Sequence, residues 1–323
     1  MKKNILLIFL GIFFYCDSHL KNPPAFFPTS SGKINYITIV MPESDWKSSL
    51  GQIVREEMSI IYEGLPLDEP QYSLIFMNPK AFNGFARQSR NVIWFQRDSI
   101  TRFQLAKDQF AKPQIVASIT GQDSDIQAFS FKENTDLLRR TIEESERREK
   151  LRRINKSPST EINLEKRFGI HLSYPTAYKT LKDTVNFIWI QKPITKGHLN
   201  IISYTLPENA LSGVFNERIL NIRDSIGKLY LPGRLPGSYQ ITERAFLPYF
   251  YKTSLDGKQG FLTKGTWEVA NDFMAGPFVN YMVKDSINER LIVVEGFAFA
   301  PSVSKREHMF ELNTILSTMK QVN

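Results

Sequence analysis

The sequence predicts an α+β fold, in which two α/β sandwich-like domains with mostly antiparallel sheets are joined by a long charged helix. Three observations support this. Strand and helix patterns alternate over residues 33–122, charged residues dominate residues 123–160, and strand patterns outnumber helices over residues 161–323. The length of 323 residues also fits two ordinary domains better than one.

The composition is that of a globular protein. Hydrophobic residues make up 42% of the chain and charged residues 23%, so the chain can build a core and is not disordered as a whole. The net charge is +8, and the basic residues are spread along the sequence. Proteins that bind nucleic acid concentrate their positive charge in a patch or stripe, so we expect no nucleic-acid partner.

Residues 1–15 have the layout of a bacterial signal peptide, with Lys2 and Lys3 followed by an uncharged apolar run. A membrane-spanning helix needs about 20 apolar residues, and this run is shorter. It ends at Cys16, which is the only cysteine in the sequence and therefore has no internal disulfide partner. The pattern predicts an exported protein.

Cys16 at this position resembles the lipid-modified cysteine of bacterial lipoproteins, where it becomes the first residue of the mature chain. The resemblance implies an envelope protein anchored in a membrane through lipidated Cys16, on the periplasmic or the surface face. The alternative is an incidental cysteine in an uncleaved leader, since the bulky residues 13–15 stand where that pattern has small ones. Residues 16–32, which contain three prolines, are expected to form a flexible tether.

Residues 33–122 are predicted to form the N-terminal α/β domain. Apolar and β-branched residues predict strands at 34–41, 72–77, 91–95 and 114–120. Apolar residues at helical spacing predict a helix over residues 46–63, because Gly64 and Pro66 end the pattern.

Residues 123–160 are predicted to be a charged linking helix. Acidic and basic residues alternate at i, i+4 spacing, a pattern that stabilises an exposed helix: Glu143 with Arg147, Glu144 with Arg148, Glu146 with Lys150, and Glu149 with Arg153. A basic binding helix is the alternative interpretation. A few apolar residues can dock this helix against a domain: Leu137, Leu138, Ile142, Leu151 and Ile154.

Residues 161–323 are predicted to form the C-terminal α+β domain. Strands are expected at 167–174, 186–191, 200–206, 265–270, 278–283 and 291–299, with a helix at 211–227. The residues from Ser304 to Glu307 predict a capping box that opens a last helix. The apolar stripe of that helix is expected to pack on the sheet: Met309, Leu312, Ile315, Leu316 and Met319.

The sequence lacks the common catalytic and phosphate-binding motifs. It contains no His-Glu-x-x-His, no Gly-x-Ser-x-Gly, no Gly-x-x-x-x-Gly-Lys and no Gly-x-Gly-x-x-Gly. Its four histidines are scattered without partners at ligand spacing, so no metal site and no cofactor are expected.

The densest group of unusual residues lies at 265–278, where a strand pattern runs into a turn. Glu268 and Asp272 can serve there as acid and base, or hold a cation together with Asn271. The structural alternative is that Asn271 and Asp272 are turn residues and Trp267 belongs to the core. We name Trp267, Glu268, Asn271 and Asp272 as candidate binding residues.

A second candidate group precedes the strand at 91–95. Arg90 and Asn91, with Phe85, Arg87 and Ser89, can present arginine to an anionic ligand, although an exposed loop explains them equally well. Arg306, at the start of the last helix, is a further candidate binding residue.

Motifs along the whole chain resemble an uncharacterised lipoprotein family of Bacteroidetes-type bacteria. In the N-terminal half these are Ser31-Gly32-Lys33-Ile34-Asn35, Gly64-Leu65-Pro66 and Ser89-Arg90-Asn91. In the C-terminal half they are Arg223-Asp224, Gly265-Thr266-Trp267-Glu268, Gly276-Pro277-Phe278, Glu295-Gly296-Phe297 and Lys305-Arg306. The family is a domain of unknown function, so the resemblance implies an anchored envelope protein and supplies no catalytic residue.

The C-terminal half also resembles PsbP-like α/β/α sandwiches, through Phe168-Gly169-Ile170-His171 and its closing strand and helix. That resemblance implies an accessory or assembly protein. We therefore expect a lipid-anchored, non-catalytic binding or assembly module of the cell envelope, with an envelope protein or glycan as its partner. The alternative is an envelope hydrolase that uses Glu268 and Asp272.

Overall fold

The computed structural model describes residues 27–211 and 214–322. The predicted leader, Cys16 and the first part of the predicted tether lie outside the described residues. Within the described ranges, no helix is both long and apolar enough to cross a membrane.

The N-terminal half is built on one sheet, whose strands are β1 (Tyr36–Val40), β2 (Ser73–Met77), β3 (Asn91–Arg97), β4 (Arg102–Lys107) and β5 (Ile115–Gly121). Their order in the sheet is β2-β1-β3-β5-β4. β1, β2, β3 and β5 pair in parallel, and β4 pairs antiparallel with β5. This sheet is therefore mostly parallel, unlike the antiparallel sheet that we expected. Helical segments between β1 and β2 supply the crossover that parallel pairing requires.

Three helices belong to this half: α1 (Glu43–Trp46), α2 (Ser49–Met58) and α3 (Ser124–Ile154). The helix predicted over residues 46–63 is thus shorter, and a tight turn separates it from α1. Gly51 is required at that turn, because a Cβ there would lie 2.0 Å from the carbonyl oxygen of Trp46. Val54 of α2 and Phe131 of α3 are buried against Ile39 and Ile93 of the sheet.

The charged helix predicted over residues 123–160 is present as α3, which ends earlier, at Ile154. It begins at the N-cap Asp123, whose carboxylate accepts a hydrogen bond of 2.8 Å from the backbone N–H of Ile126. One side of α3 is buried, including Leu138, Ile142 and Ile154, so the helix is part of the core rather than only a solvated link. Leu137, in contrast, is exposed.

The C-terminal half contains ten further strands among its described residues: β6 (Ile170–His171), β7 (Lys179–Asp183), β8 (Phe187–Ile194), β9 (Gly197–Pro207), β10 (Tyr239–Thr242), β11 (Tyr249–Leu255), β12 (Lys258–Ala270), β13 (Asp272–Asp285), β14 (Arg290–Phe299) and β15 (Lys320–Gln321). Eight of them form an antiparallel sheet in the order β10-β12-β13-β14-β9-β8-β7, with β11 also paired to β12. β6 pairs separately with β15.

Helices cover both faces of this antiparallel sheet: α4 (Asn163–Phe168), α5 (Phe215–Tyr230) and α6 (Arg306–Leu316). α4 and α6 pack on one face, where Leu164 and Leu312 meet the strands. α5 packs on the other face through Ile219. The C-terminal half is therefore an α/β/α sandwich, as the PsbP-like resemblance implies, and the α+β fold class is confirmed.

Two local predictions for this half are wrong or incomplete. Residues 167–174 were expected to form a strand, but the stretch begins inside α4 and only β6 is extended. The reason is that Leu164 and Phe168, one helical turn apart, are both buried in the core. Four strands of this half have no counterpart in the sequence prediction: β7, β10, β11 and β15. The predicted apolar stripe of the last helix is confirmed, since all five residues are buried.

The predicted capping box of α6 is also wrong. Lys305 occupies the N-cap position and its side chain makes no capping hydrogen bond. Glu69, from the N-terminal half, instead accepts hydrogen bonds from the backbone N–H groups of Lys305 at 2.8 Å and Arg306 at 3.0 Å. It also accepts one from the hydroxyl of Ser304. A carboxylate from a distant loop thus neutralises the positive end of the helix dipole.

Further polar contacts join the two halves. Lys150 of α3 forms an ion pair of 2.7 Å with Glu311 of α6. Glu63 accepts a hydrogen bond of 2.6 Å from the hydroxyl of Tyr251 and forms an ion pair of 2.8 Å with Lys264. These contacts fix how the two sheets are placed relative to each other.

Candidate functional site

The turn that follows Trp267 and Glu268 is a tight connection between β12 and β13. Val269 pairs with Asp272, so Ala270 and Asn271 form a two-residue hairpin turn. Asn271 has a φ of 66°, in the left-handed region that asparagine tolerates better than most residues. The register shifts between Glu268 and Val269, which places a bulge next to the turn. The hairpin is thus irregular at the position where the sequence suggested a site.

Trp267 belongs to the core of the C-terminal half. Its ring lies 5.9 Å from that of Phe297 in an edge-to-face arrangement, and its side chain is buried. Gly276 pairs with it on β13, and a Cβ there would lie 3.0 Å from the indole nitrogen and 2.1 Å from the carbonyl oxygen of Ala298. Gly276 therefore makes room for Trp267. The burial of Trp267 agrees with the structural alternative, in which this residue belongs to the core.

The two candidate carboxylates have different partners. Burial and the neighbouring carboxyl of Glu243 raise the pKa of Glu268. Asp272 accepts hydrogen bonds of 3.0 and 2.7 Å from the guanidinium of Arg234, which holds the pKa of Asp272 below its usual range. Glu268 is therefore grouped with a second acid, whereas Asp272 is neutralised by a base.

The hairpin turn also exposes an aromatic side chain that the sequence analysis did not single out. Phe273 is fully exposed to solvent, and its backbone N–H donates a hydrogen bond of 2.7 Å to the carboxylate of Asp272. Leu235, next to the Arg234 that binds Asp272, is also exposed. Asn271, the remaining candidate of this group, is exposed at the same tip.

Arg90 and Asn91 lie in the interior, not in an exposed loop. The guanidinium of Arg90, only 2% exposed, donates to the carboxylate of Glu146 from Nε at 2.6 Å and from Nη2 at 3.2 Å. The amide of Asn91 donates to the same carboxylate at 2.8 Å, and the backbone N–H of Asn35 does so at 2.6 Å. These residues hold the starts of β1 and β3 against α3.

This arrangement changes the ion pairs predicted along α3. Glu146 pairs with Arg90 rather than with Lys150, and Lys150 pairs with Glu311. The pairs of Glu143 with Arg147 and of Glu144 with Arg148 form as predicted, as does that of Glu149 with Arg153. Local spacing predicts three of the four pairs correctly and fails for Glu146, whose partner Arg90 lies far along the chain.

Arg306 is also buried, between the two halves of the chain. Its guanidinium donates to the carbonyl oxygen of Pro70 at 2.8 Å and to the hydroxyl of Ser73 at 3.1 Å. Next to it, burial alone would raise the pKa of Glu69, but the hydrogen bonds that cap α6 outweigh burial and lower it. Arg306 thus contributes to the contact between the halves.

A second buried ion pair, missed by the sequence analysis, lies in the C-terminal half. Arg223 of α5 binds Glu295 of β14 with a shortest distance of 2.8 Å, and the amide of Asn280 donates to Glu295 at 2.9 Å. The guanidinium carbon lies 3.9 Å from the ring centre of Phe278. The feature of the sequence that could have indicated this pair is the charged Glu295 inside the apolar run of residues 291–299.

A polar cleft lies between α3 and the C-terminal half. It has a volume of about 730 Å³ and is lined by Arg147, His171, Tyr281, Ser317 and Lys320, among others. Candidate residues of the hairpin turn do not line it. Within the described residues, no three His, Cys, Asp or Glu side chains come together as a metal-ligand set.

Residues 157–318, half of the chain, match the domain of unknown function DUF4837. The chain belongs to this family. Residues 30–155 match a second domain of unknown function, DUF8532. The resemblance to an uncharacterised family is thereby confirmed. Among curated proteins, none matches the sequence significantly.

Two solved structures are similar to part of this DUF4837 protein. One is the Ran-binding protein Mog1p of Saccharomyces cerevisiae, with 10% identity and a TM-score of 0.32 over 48% of this chain and 91% of that one. The other is LpqN, involved in cell envelope biogenesis of Mycobacterium tuberculosis, with 12% identity and a TM-score of 0.30 over 48% of this chain and 83% of that one. Function does not transfer at this level of similarity.

Proposed function

We propose that this protein is a lipid-anchored protein of the cell envelope that acts as a non-catalytic binding or assembly module. The signal-peptide pattern of residues 1–15 and the lone Cys16 support the anchor. The observation that carries the binding function is Phe273, which the hairpin turn holds fully exposed. Exposed aromatic side chains on rigid elements are typical anchors of protein interfaces.

The turn is fixed in a way that suits an interface. The ion pair of Arg234 with Asp272 and the hydrogen bond from the N–H of Phe273 to Asp272 hold the tip in one conformation. A rigid tip loses little conformational entropy when a partner binds. Leu235 adds a second exposed apolar side chain. We propose an envelope protein as the partner, because an apolar convex tip fits a pocket in another protein better than it fits a polar glycan.

The binding function predicts a clear effect of Phe273→Ala. We expect the partner to bind at least about 30-fold more weakly, as for other aromatic interface anchors. The free energy of unfolding should change by less than about 0.5 kcal/mol, because the side chain is exposed. The measurement is the yield of partner that co-purifies with the full-length protein after mild crosslinking in cells. Val185→Ala, at another exposed apolar site, is the matched control.

The anchor is tested separately by cell fractionation and by the mass of the mature protein. We expect wild-type protein in the membrane fraction with acyl chains on Cys16, and Cys16→Ala without them. Unacylated wild-type protein that is freely soluble in the cytoplasm would contradict the anchor.

The second candidate function, an envelope hydrolase using Glu268 and Asp272, is favoured by one observation. A carboxyl whose pKa is raised next to another acid, as for Glu268 beside Glu243, holds its proton more tightly, as a general acid requires. The variants Glu268→Gln and Asp272→Asn test it. If both retain the fold, partner binding and the cellular phenotype, the hydrolase function is excluded.

A further inference from the structure

The described chain begins at a fixed place in the N-terminal half. The backbone N–H of Lys112 donates to the carbonyl oxygen of Pro28 at 2.9 Å, and that of Ser30 donates to the carbonyl oxygen of Lys112 at 3.0 Å. The N–H of Ser31 donates to the carbonyl oxygen of Gln88 at 2.8 Å. The first described residues are therefore bound to the loops that precede β3 and β5, at the amino ends of the parallel strands.

This end of the molecule carries an exposed aromatic residue. Phe85, in a short 3-10 turn at Gly84–Gln88, is 73% exposed. Phe27, where the described chain starts, is also exposed. The neighbouring Phe82 and Phe110, in contrast, pack edge to face with a ring distance of 5.8 Å. The turn thus rests on a packed aromatic base and projects Phe85 outward.

The start of the described chain and the two segments hydrogen-bonded to it, one of which contains Phe85, carry more basic than acidic side chains. Residues 27–33, 78–89 and 107–113 contain five basic residues and one acid, Asp108. All five basic residues are exposed: Lys33, Lys80, Arg87, Lys107 and Lys112. Asp108 lies 3.7 Å from Lys112 and so offsets only part of this charge. We call Phe85 and these five residues the basic face.

The basic face lies where the proposed anchor must hold the protein. Ten residues lie between Cys16 and Phe27, and the eleven Cα-to-Cα steps from one to the other span at most about 40 Å. A globular chain of this size is about 50 Å across. An acylated Cys16 therefore prevents the start of the described chain from lying on the side of the molecule farthest from the membrane.

We propose that the basic face rests on an anionic lipid surface, with Phe85 among the headgroups, so that the anchored protein takes one orientation. The combination of exposed aromatic and basic side chains is typical of surfaces that bind the membrane interface. This inference rests on the proposed lipid anchor. It implies that the anchor attaches the protein to the membrane and that the basic face sets the orientation of the protein on it. The Phe273 tip then remains available to a partner.

The test uses full-length acylated protein in vesicles of phosphatidylglycerol and phosphatidylethanolamine. Because acylation occupies the only native cysteine, Ala81→Cys and Val185→Cys each introduce one labelling site for a fluorophore. Ala81 is exposed beside the basic face, and Val185 is exposed in the C-terminal half. We expect quenching by nitroxide-labelled lipids at position 81 and not at position 185.

The charge dependence separates this inference from simple anchoring. Each basic side chain near an anionic surface contributes about five-fold to binding, so Lys80→Gln, Lys107→Gln and Lys112→Gln together should lower the ratio of docked to undocked protein about 100-fold. Quenching at position 81 should also be lost in vesicles of neutral lipid. Phe85→Ala should weaken the quenching at position 81 in every vesicle composition in which the wild-type side chain allows quenching.

Three results would overturn the basic face as a membrane contact: equal quenching at both positions, quenching unchanged by the lysine variants, or release by inorganic phosphate at constant ionic strength. The last would indicate a free phosphate ligand. Failure of the anchor itself is distinguishable, because protein lacking acyl chains would not be recovered with vesicles of neutral lipid.

Discussion

Arg90 and Glu146 show how single residues tie distant parts of the N-terminal half together. Their side chains are 1% and 0% exposed, and Glu146 accepts hydrogen bonds from Arg90, Asn91 and the N–H of Asn35. Removing one partner of a buried ion pair leaves an uncompensated charge in the interior. The role of Arg90 is therefore best tested through stability.

We predict that Arg90→Met lowers the free energy of unfolding by about 3–5 kcal/mol, since Glu146 would remain buried without its counter-charge. Arg148→Met is the matched control, because Arg148 forms an exposed pair with Glu144 and should cost less than about 1 kcal/mol. Urea unfolding at pH 7 measures both. Equal effects of the two substitutions would show that Arg90 is not structural.

Sequence patterns could not predict this pair. Fifty-six positions separate Arg90 from Glu146, and the i, i+4 rule assigns Glu146 to Lys150 instead. The sequence analysis allowed for a buried Trp267, and the residue is buried. In contrast, no feature of the neighbouring sequence distinguishes the exposed Phe273 from the buried Phe278. Exposure at these positions is decided by strands that pair from far along the chain.

At the scale of elements, α6 depends on a residue of the opposite half. Glu69 caps the start of α6, a role that the predicted capping box assigned to the side chains of Ser304 and Glu307. We predict that Glu69→Ala lowers the free energy of unfolding by about 1–2 kcal/mol, the usual effect of removing a charged helix cap. Glu307→Ala should change it by less than about 0.5 kcal/mol. Thermal or urea unfolding of both variants measures the two losses of stability. A larger loss for Glu307→Ala than for Glu69→Ala would show that the capping box, and not Glu69, caps the helix.

The contact of α3, α6 and β8 should make stability depend on pH. Burial alone would raise the pKa of Glu311, but the ammonium groups of Lys150 and Lys192 outweigh it and lower the pKa to about 2. A carboxyl with a lowered pKa stabilises the fold above its unfolded pKa, near 4.5, and loses this effect as the pH falls toward 2. The shift corresponds to roughly 3 kcal/mol.

We therefore predict that the difference in unfolding free energy between wild type and Glu311→Gln is largest above pH 5 and shrinks between pH 5 and pH 2. Urea unfolding at a series of pH values measures it, with the exposed Glu144→Gln as the control. A difference that does not vary with pH would show that the two lysines do not stabilise the carboxylate.

Elements with strong local patterns were predictable. The β-branched runs of β1 and β5 and the long charged α3 appear close to their predicted positions. Elements whose conformation depends on tertiary packing were not: residues 167–174 carry an alternating apolar pattern typical of a strand, yet they begin inside α4, where Leu164 and Phe168 bury as a helical pair. The parallel pairing of the N-terminal sheet also depends on crossover packing that no local pattern specifies.

At the scale of the whole molecule, the two halves form one body whose motif residues serve its construction. Arg90 joins strands to α3, Arg223 joins α5 to β14, and Arg306 joins the two halves. The Phe273 tip and the basic face, in contrast, lie on the surface of the molecule, outside these buried contacts. In the proposed arrangement the first contacts a partner and the second contacts the membrane.

The central claim is that the anchored protein binds a partner through the Phe273 tip. The most direct measurement places a photocrosslinking amino acid at position 273, and at position 185 as a control, in full-length protein in living cells. We predict one protein adduct from position 273, none from position 185, and loss of the adduct when Cys16→Ala removes the anchor. The same adducts from both positions, or no protein adduct from position 273, would contradict the claim.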